Sequence, residues 1–335
     1  MREIGSEFWS VETAAQPCQI FNNNIQWYIS GRSALQAIIK ELRWAKTVSM
    51  PAWCCDSMVK PFVDAGMKIK FYPVYPDHGL KQEIDVDADV LFLMDYFGYT
   101  EERVIDHPCI IRDVTHSFFS RNYDDADYYF GSLRKWCGIC TGGFAWSKKK
   151  NRLYEGIRNG FNYISIRSEA MDLKSSYINK KTSISGELVT DKHFLSFYEK
   201  AEQELDNIGI VAAPERDIEL ARMLDVDYIV SRRKENGRAL MKAFPDMIVF
   251  PDLGEHDCPM FVPILVPNGK RDALRRYLIE RDIYCPVHWP VSSYHEVDSK
   301  SAVLYNDCLS LVCDQRYKQE DIKRIIDTIY EFMEA

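Results

Sequence analysis

No apolar run in this 335-residue chain approaches the ~20 residues that a bilayer-spanning helix needs. Long basic blocks are missing too: 42 Lys+Arg stand against 50 Asp+Glu, a formal net charge of −8. Nucleic-acid binding requires many phosphate-neutralising cations, so this balance disfavours it. The short run Lys148-Lys149-Lys150 reads as a solvated loop. The opening residues carry Glu3 and Glu7 and no apolar stretch, unlike a secretory signal. These absences predict a soluble, cytoplasmic protein. G-x-x-x-x-G-K-[ST] is absent, as is G-x-G-x-x-G after a strand, which disfavours P-loop enzymes and Rossmann dehydrogenases. Ten cysteines are present but scattered, and the single C-x-x-C, Cys137 to Cys140, has no partner motif at zinc-finger spacing. They read as buried thiols, and no metal site is expected.

What remains is a globular composition, 46% hydrophobic and 27% charged, long enough for about two domains. Ser30-Gly31-Arg32 opens an amphipathic helix through Leu35, Ile38, Ile39 and Leu42. A strand at Val48–Met50 ends at Pro51, and a helix over 55–65 is closed by Gly66. Strand-like runs recur at 69–74, 90–94, 109–112, 128–130 and 143–146. Their spacing suits parallel strands with helical crossovers. The 151–235 stretch is more helical, with patterns at 195–205 and 217–240 and an exposed loop at Lys180–Thr190. After Met247, strands at 261–266 and 283–287 and helices at 271–281 and 319–332 suggest a small α+β unit. The expected fold class is therefore α/β: a three-layer large domain with a mostly parallel sheet over 1–235, and a small C-terminal α+β domain over 236–335.

Three segments carry chemistry. Ser30-Gly31-Arg32 places a glycine at a helix start, where free N–H groups bind anions. Asp113 ends an apolar strand in Ile110–Ser117, where open α/β sheets hold ligands. Gly131-Ser132-Leu133-Arg134-Lys135-Trp136 sets a lysine among apolar and aromatic neighbours, an environment that favours a nucleophilic amine. Each has a bland alternative: a plain cap, a capping aspartate, a solvated lysine. Their order along the chain is more specific than any one of them.

In that order the sequence resembles the fold-type-I pyridoxal-phosphate enzymes, and among them the DegT/DnrJ/StrS-type sugar aminotransferases. Gly5–Trp9, Ser30–Leu35, Met50–Trp53, Tyr96-Phe97-Gly98, Ile111–Ser117, Ser132–Gly143 and Leu309–Tyr317 carry the likeness over nearly the whole chain. The resemblance implies pyridoxal 5'-phosphate as cofactor, with Lys135 forming the Schiff base and then shuttling the proton. Asp113 would pair with the pyridine nitrogen and keep the ring an electron sink. His116 would reach the ring hydroxyl; Gly31, Arg32 and Ser132 would hold the phosphate. Trp53, or Cys55 in a shifted alignment, would stack on the ring, and Tyr96 would line the pocket. His288 and Trp289 are the expected substrate-binding residues. Asn162 and Asn179 are the candidates for the asparagine that relatives send across a dimer. The implied reaction moves an amino group from an amino acid, glutamate first, to a nucleotide-linked keto-sugar in a polysaccharide-type pathway. The implied assembly is a homodimer with Phe8, Trp9 and the loop near Lys180–Thr190 at its interface. Sugar dehydratases of the family replace the lysine with histidine, so Lys135 argues against that branch. Lyase or decarboxylase chemistry, or cofactor binding without turnover, remain the alternatives.

Overall fold

A computed structural model describes residues 2–21, 24–100, 105–120, 125–150, 152–159, 161–182 and 192–335. The elements, in chain order, begin with β1 (Ile4–Gly5), β2 (Gln26–Tyr28), α1 (Gly31–Glu41), β3 (Thr47–Pro51), α2 (Asp56–Asp64) and β4 (Lys68–Tyr72). A small hairpin, β5 (Val74–Pro76) and β6 (Leu80–Gln82), precedes β7 (Val90–Met94), β8 (Ile110–Asp113), β9 (Tyr128–Ser132) and β10 (Gly143–Ser147). Then come α3 (Phe161–Thr182), α4 (Phe194–Asn207), α5 (Glu215–Arg222) and α6 (Val226–Ala243). The chain closes with β11 (Phe261–Leu265), α7 (Arg271–Ile279), β12 (Ile283–Tyr284), α8 (Ala302–Asp307), β13 (Cys308–Val312) and α9 (Gln319–Glu334).

The main sheet has seven strands in the order β2-β10-β9-β8-β7-β3-β4. The run β9-β8-β7-β3-β4 is parallel throughout. Strands β7, β8 and β9 are buried along their whole length, as expected where both faces of a parallel sheet are covered. β10 runs antiparallel to β9, and β2 antiparallel to β10. The 133–142 connection explains the first reversal: it is shorter than the dozen or more residues a parallel crossover needs. The result is the mostly parallel α/β sheet that the spacing predicts.

Local rules account for most helices. In α1, the Ser30 hydroxyl accepts from the Ser33 N–H at 3.2 Å, and Leu35, Ile38 and Ile39 face the sheet. Helix α1 packs on β9 and β10. The single helix expected over 217–240 is two helices. Residues 223–225 break it, because the Asp225 carboxylate accepts from the Tyr228 N–H at 3.0 Å and starts α6. The strand expected over 283–287 pairs only at Ile283 and Tyr284, where β12 runs parallel to β1; Pro286 lacks the N–H to extend a ladder. The expected boundary at 235/236 lies inside the unbroken α6. Beyond α6, the antiparallel pair β11–β13 packs with α6, α7 and α8, while α9 packs on α6 and α7. Of the expected loop at Lys180–Thr190, Lys180–Thr182 are the last turn of α3, and 183–190 lie outside the described residues.

Candidate active site

The parallel strands end together, and their carboxyl ends carry Asp113 on β8 and Ser132 on β9. The start of α1 lies against the end of β9: a Cβ on Gly31 would sit 3.4 Å from the Gly131 carbonyl oxygen and from the Ser132 Cβ. On the other side the backbone at Ser30 meets β10 so closely that a Cβ on Gly143 would fall 2.1 Å from the Ser30 carbonyl. No acidic residue occupies the first turn of α1, so its positive end is not neutralised from within. Gly31 and Ser132 therefore sit side by side, a small cup at a helix start whose first N–H groups lack helical partners; neither residue lines the cavity described below. Arg32 contributes only its backbone there. Its guanidinium is committed to the end of α4, donating to the Leu205 carbonyl at 3.2 Å and to Asp206 at 2.6 Å.

Asp113 is 1% exposed and accepts the Thr115 N–H at 2.7 Å. Burial pushes its carboxyl up to about 7 against the Thr115 hydrogen bonds, and the charge of Asp95 adds to the rise. No cation pairs with it among the described residues. Neighbouring Arg112, by contrast, is fully committed to Asp95 at 2.8 Å and to Asp125.

Lys135 ends a 3-10 turn over Leu133–Lys135. The next residue fixes the turn: Trp136 is fully buried, its indole N–H donates to the Thr115 carbonyl at 2.6 Å, and Gln315 donates to its carbonyl at 2.7 Å. Thr115 thus ties Asp113 to the Lys135 turn, as donor to Asp113 and acceptor from Trp136. The Lys135 amine makes no hydrogen bond and no ion pair among the described residues, and it lines a cavity of about 440 Å³.

His116, His288 and Trp289 line the same cavity. The His116 and Trp289 rings stack with centroids 5.6 Å apart at 22°. Burial first, then the charges of His288 and Lys135, push the His116 ring well below its usual range, and its Nδ1 is buried without a hydrogen-bond partner. His288 shares a hydrogen bond with the Ser310 hydroxyl at 2.8 Å, and burial with the Lys135 charge pushes it down to about 3.

Two expected pocket residues sit one layer deeper. Trp53 is fully buried, stacked on Tyr96 at 5.2 Å and 14°, and its indole N–H donates to the His288 carbonyl at 2.9 Å. Tyr96 is 3% exposed and donates to the Trp53 carbonyl at 2.6 Å. They form the packed bed beneath Trp289 rather than the cavity wall. Cys55, the alternative to Trp53, caps α2 and lies within the electrostatic reach of Lys135 and Asp113. Asn162 and Asn179 lie on α3 and are not among the residues lining the cavity.

Sequence reasoning missed the opposite wall. Glu7 of the N-terminal segment, Lys174 of α3 and Arg316 after β13 all line it. Partial burial opposes the charge of Glu7, whose side chain is 47% exposed, but Arg167, Lys135 and Arg134 together hold the carboxyl low. Lys174 is fully buried; burial pushes its amine down to about 7, Arg316 adds to this, and Glu7 and Glu3 oppose it. Phe8 and Trp9, expected at a dimer interface, pack within the chain. The Arg316 guanidinium lies 3.9 Å over the Phe8 ring and the Lys174 amine 5.2 Å over Trp9.

No family model matches the chain, and no curated protein matches it. Many solved structures share its fold. Helicobacter pylori PseC, an aminotransferase involved in the biosynthesis of pseudoaminic acid, superposes with a TM-score of 0.64 at 14% identity, over 97% of this chain and 99% of that one. Bacillus subtilis NtdA, solved with bound cofactor PMP, gives 0.62 at 13% identity over 93% of this chain and 73% of NtdA. S. venezuelae DesV, in complex with a ketimine intermediate, gives 0.61 at 14% identity over 93% and 85%. The chain has the α/β fold of these aminotransferases.

Proposed function

We propose that this chain is a pyridoxal-phosphate-dependent aminotransferase of the DegT/DnrJ/StrS type, moving an amino group from an amino acid, glutamate first, to a keto-sugar. The observation that carries the reading is one juxtaposition: Thr115 holds a buried carboxylate without a cation next to a turn that presents an unpaired lysine amine to a cavity. The residues present fit the cofactor. The unpartnered Nδ1 of His116 suits the ring hydroxyl, Asp113 suits a protonated ring nitrogen, and the Gly31, Arg32 and Ser132 cup suits a phosphate. When bound, pyridoxal phosphate supplies an aldehyde for amine exchange and a ring that accepts the electrons of a broken Cα–H bond.

The chain's own residues do the rest. The Lys135 amine takes the proton from the donor's Cα and, in the second half-reaction, delivers one to the acceptor carbon that was the carbonyl. Asp113 stays ionised opposite a positive partner. His288 and Trp289 shape the acceptor side, with Trp53 and Tyr96 supporting them from below. The 1–235 region acts as the cofactor-binding domain and 236–335 as the small domain, sharing α6. A homodimer in the cytoplasm, working on a nucleotide-linked sugar in polysaccharide biosynthesis, completes the reading. Among the described residues, no helix is long and apolar enough to cross a membrane.

The test is direct. Purified protein incubated with pyridoxal phosphate turns yellow, and borohydride fixes the cofactor on the peptide containing Lys135. Lys135→Ala abolishes turnover at unchanged circular dichroism. A protein that stays colourless refutes the reading.

A further inference from the structure

Cations outnumber acids on the wall of the cavity that holds Lys135. Arg134, Lys174, Arg233, Arg275 and Arg316 join the lysine there, against the carboxylates of Glu7 and Asp314. Four of the five are readily accounted for. Arg316 takes both oxygens of Asp314, at 2.9 and 2.8 Å, and Arg134 donates to Glu202 at 2.9 Å. Lys174 is held by the Ser6 hydroxyl and the Glu7 carbonyl, and burial pushes its amine down to about 7, so it can shed its charge. Arg275 is exposed to water. Arg233 is the exception. It is 1% exposed, a guanidinium keeps its proton, and no carboxylate lies within ion-pair distance of it among the described residues.

The rest of its surroundings fix the Arg233 side chain in place. It extends from α6, and the guanidinium sits 4.5 Å over the Trp136 ring. Nε donates to the Gln315 side-chain oxygen at 2.8 Å, and Nη1 to the Met260 and Pro259 carbonyls at 3.0 and 3.4 Å. Gln315 in turn donates to the Trp136 carbonyl at 2.7 Å. The guanidinium is thus tied to the residue after Lys135 through both its ring and its backbone. Nη2 makes no hydrogen bond among the described residues, so one nitrogen is left for an occupant of the cavity. The fold already holds this charge out of water. An arriving anion therefore gains a charge-assisted bond without stripping the cation of its hydration. A single nitrogen suits a carboxylate oxygen; a phosphate calls for several donors, as a helix start provides.

We propose that Arg233 binds a carboxylate of the amino donor through Nη2, and so selects a carboxylate-bearing donor for the reaction at Lys135. This rests on reading Lys135 as the reacting amine of an aminotransferase. The donor completes an ion pair that the chain leaves half made.

The probe is glutarate, a five-carbon dicarboxylate without an amine, with glutaramide as its neutral counterpart. Each is titrated calorimetrically into the purified full chain, as wild type, Arg233→Met and Arg233→Lys, with folding checked by circular dichroism. Wild type should bind glutarate about tenfold or more tightly than glutaramide, the size of one hydrogen bond to a charged group. Arg233→Met should weaken glutarate about tenfold or more and leave glutaramide unchanged, a split that general damage to the cavity does not produce. Arg233→Lys, which keeps a cation on a shorter reach, should show the same split by less, and decides the matter if Arg233→Met does not fold. In the donor half-reaction both variants should raise the glutamate concentration needed for half-maximal rate. Equal binding of the two probes by wild type, equal losses of both in the variants, an unchanged glutamate requirement, or inorganic phosphate binding at Arg233 more tightly than glutarate would each overturn the proposal. A protein that takes up no pyridoxal phosphate yet shows the split would refute the aminotransferase reading and leave a carboxylate site at Arg233. A protein that is yellow but shows no split would do the reverse.

Discussion

Asp113→Asn is the substitution whose effect follows most fully from the structure. The Asp113 carboxyl is pushed up to about 7 in the folded chain, whereas an unfolded aspartate titrates near ~3.9. Between those values the native state binds more protons than the unfolded one, so the folded chain loses stability as pH rises through this window. A tenfold change in an equilibrium is ~1.4 kcal/mol, which makes the penalty about 4 kcal/mol at pH 8 and about 1 kcal/mol at pH 4.5. Asparagine keeps an acceptor for the Thr115 N–H and removes the charge. Stripped of cofactor, the variant should therefore be more stable than wild type by up to about 4 kcal/mol at pH 8, with most of the difference gone at pH 4.5. Urea unfolding followed by circular dichroism at the two pH values measures this. Added pyridoxal phosphate should reverse the order, because only the charged residue gains a cationic partner. An Asn variant no more stable than wild type at pH 8 would mean that the carboxylate is already compensated, and the site would lose its main support.

Two further substitutions test the layers around the cavity. Trp53→Ala removes a fully buried indole, its stack on Tyr96 and its bond to the His288 carbonyl, and should cost about 3–5 kcal/mol by urea unfolding; a loss near zero would show that the bed beneath Trp289 is not packed as described. His288→Ala should slow the acceptor half-reaction much more than the donor half-reaction in single-turnover absorbance measurements. Equal losses would place His288 with the common site and end its assignment to the acceptor.

The sheet was legible because its central strands are continuous apolar runs, and α1 because a serine cap precedes a regular apolar stripe. Helix α3 was not read as an element, for a physical reason. Its buried face runs through Tyr163, Arg167, Ala170, Lys174, Tyr177 and Ile178, at helical spacing, but two of those positions are cations that break the apolar pattern. The same two cations bind Ser6 and Glu7, so the residues that hid the helix are the ones that tie it to the N-terminal segment. Lys135, Asp113 and His116 could be singled out as candidates because they lie in short motifs. Trp53 and Tyr96, given pocket roles by the resemblance, lie beneath the cavity lining: a shared motif does not say whether an aromatic face meets a ligand or another ring. Glu7, Lys174 and Arg316 were out of reach, since they are far apart in the chain and only the fold brings them to one wall.

The meeting of α1 with β9 and β10 also bears on how the protein is made. Gly31 and Ser132, and the Gly143 contact that locks Ser30, are separated by about a hundred residues of chain. At ~5–20 residues per second, a ribosome needs on the order of ten seconds after delivering the helix start to deliver the strands that complete the cup. Until then a nascent chain has the donors at the start of α1 but nothing to close them into a binding shape. Fragments that stop short of residue 143 should fail to retain an anion there, whatever their helix content. Uptake of a phosphate-bearing ligand would thus report that the whole sheet has assembled, and a cell short of that ligand would accumulate finished but empty chains rather than stalled ones.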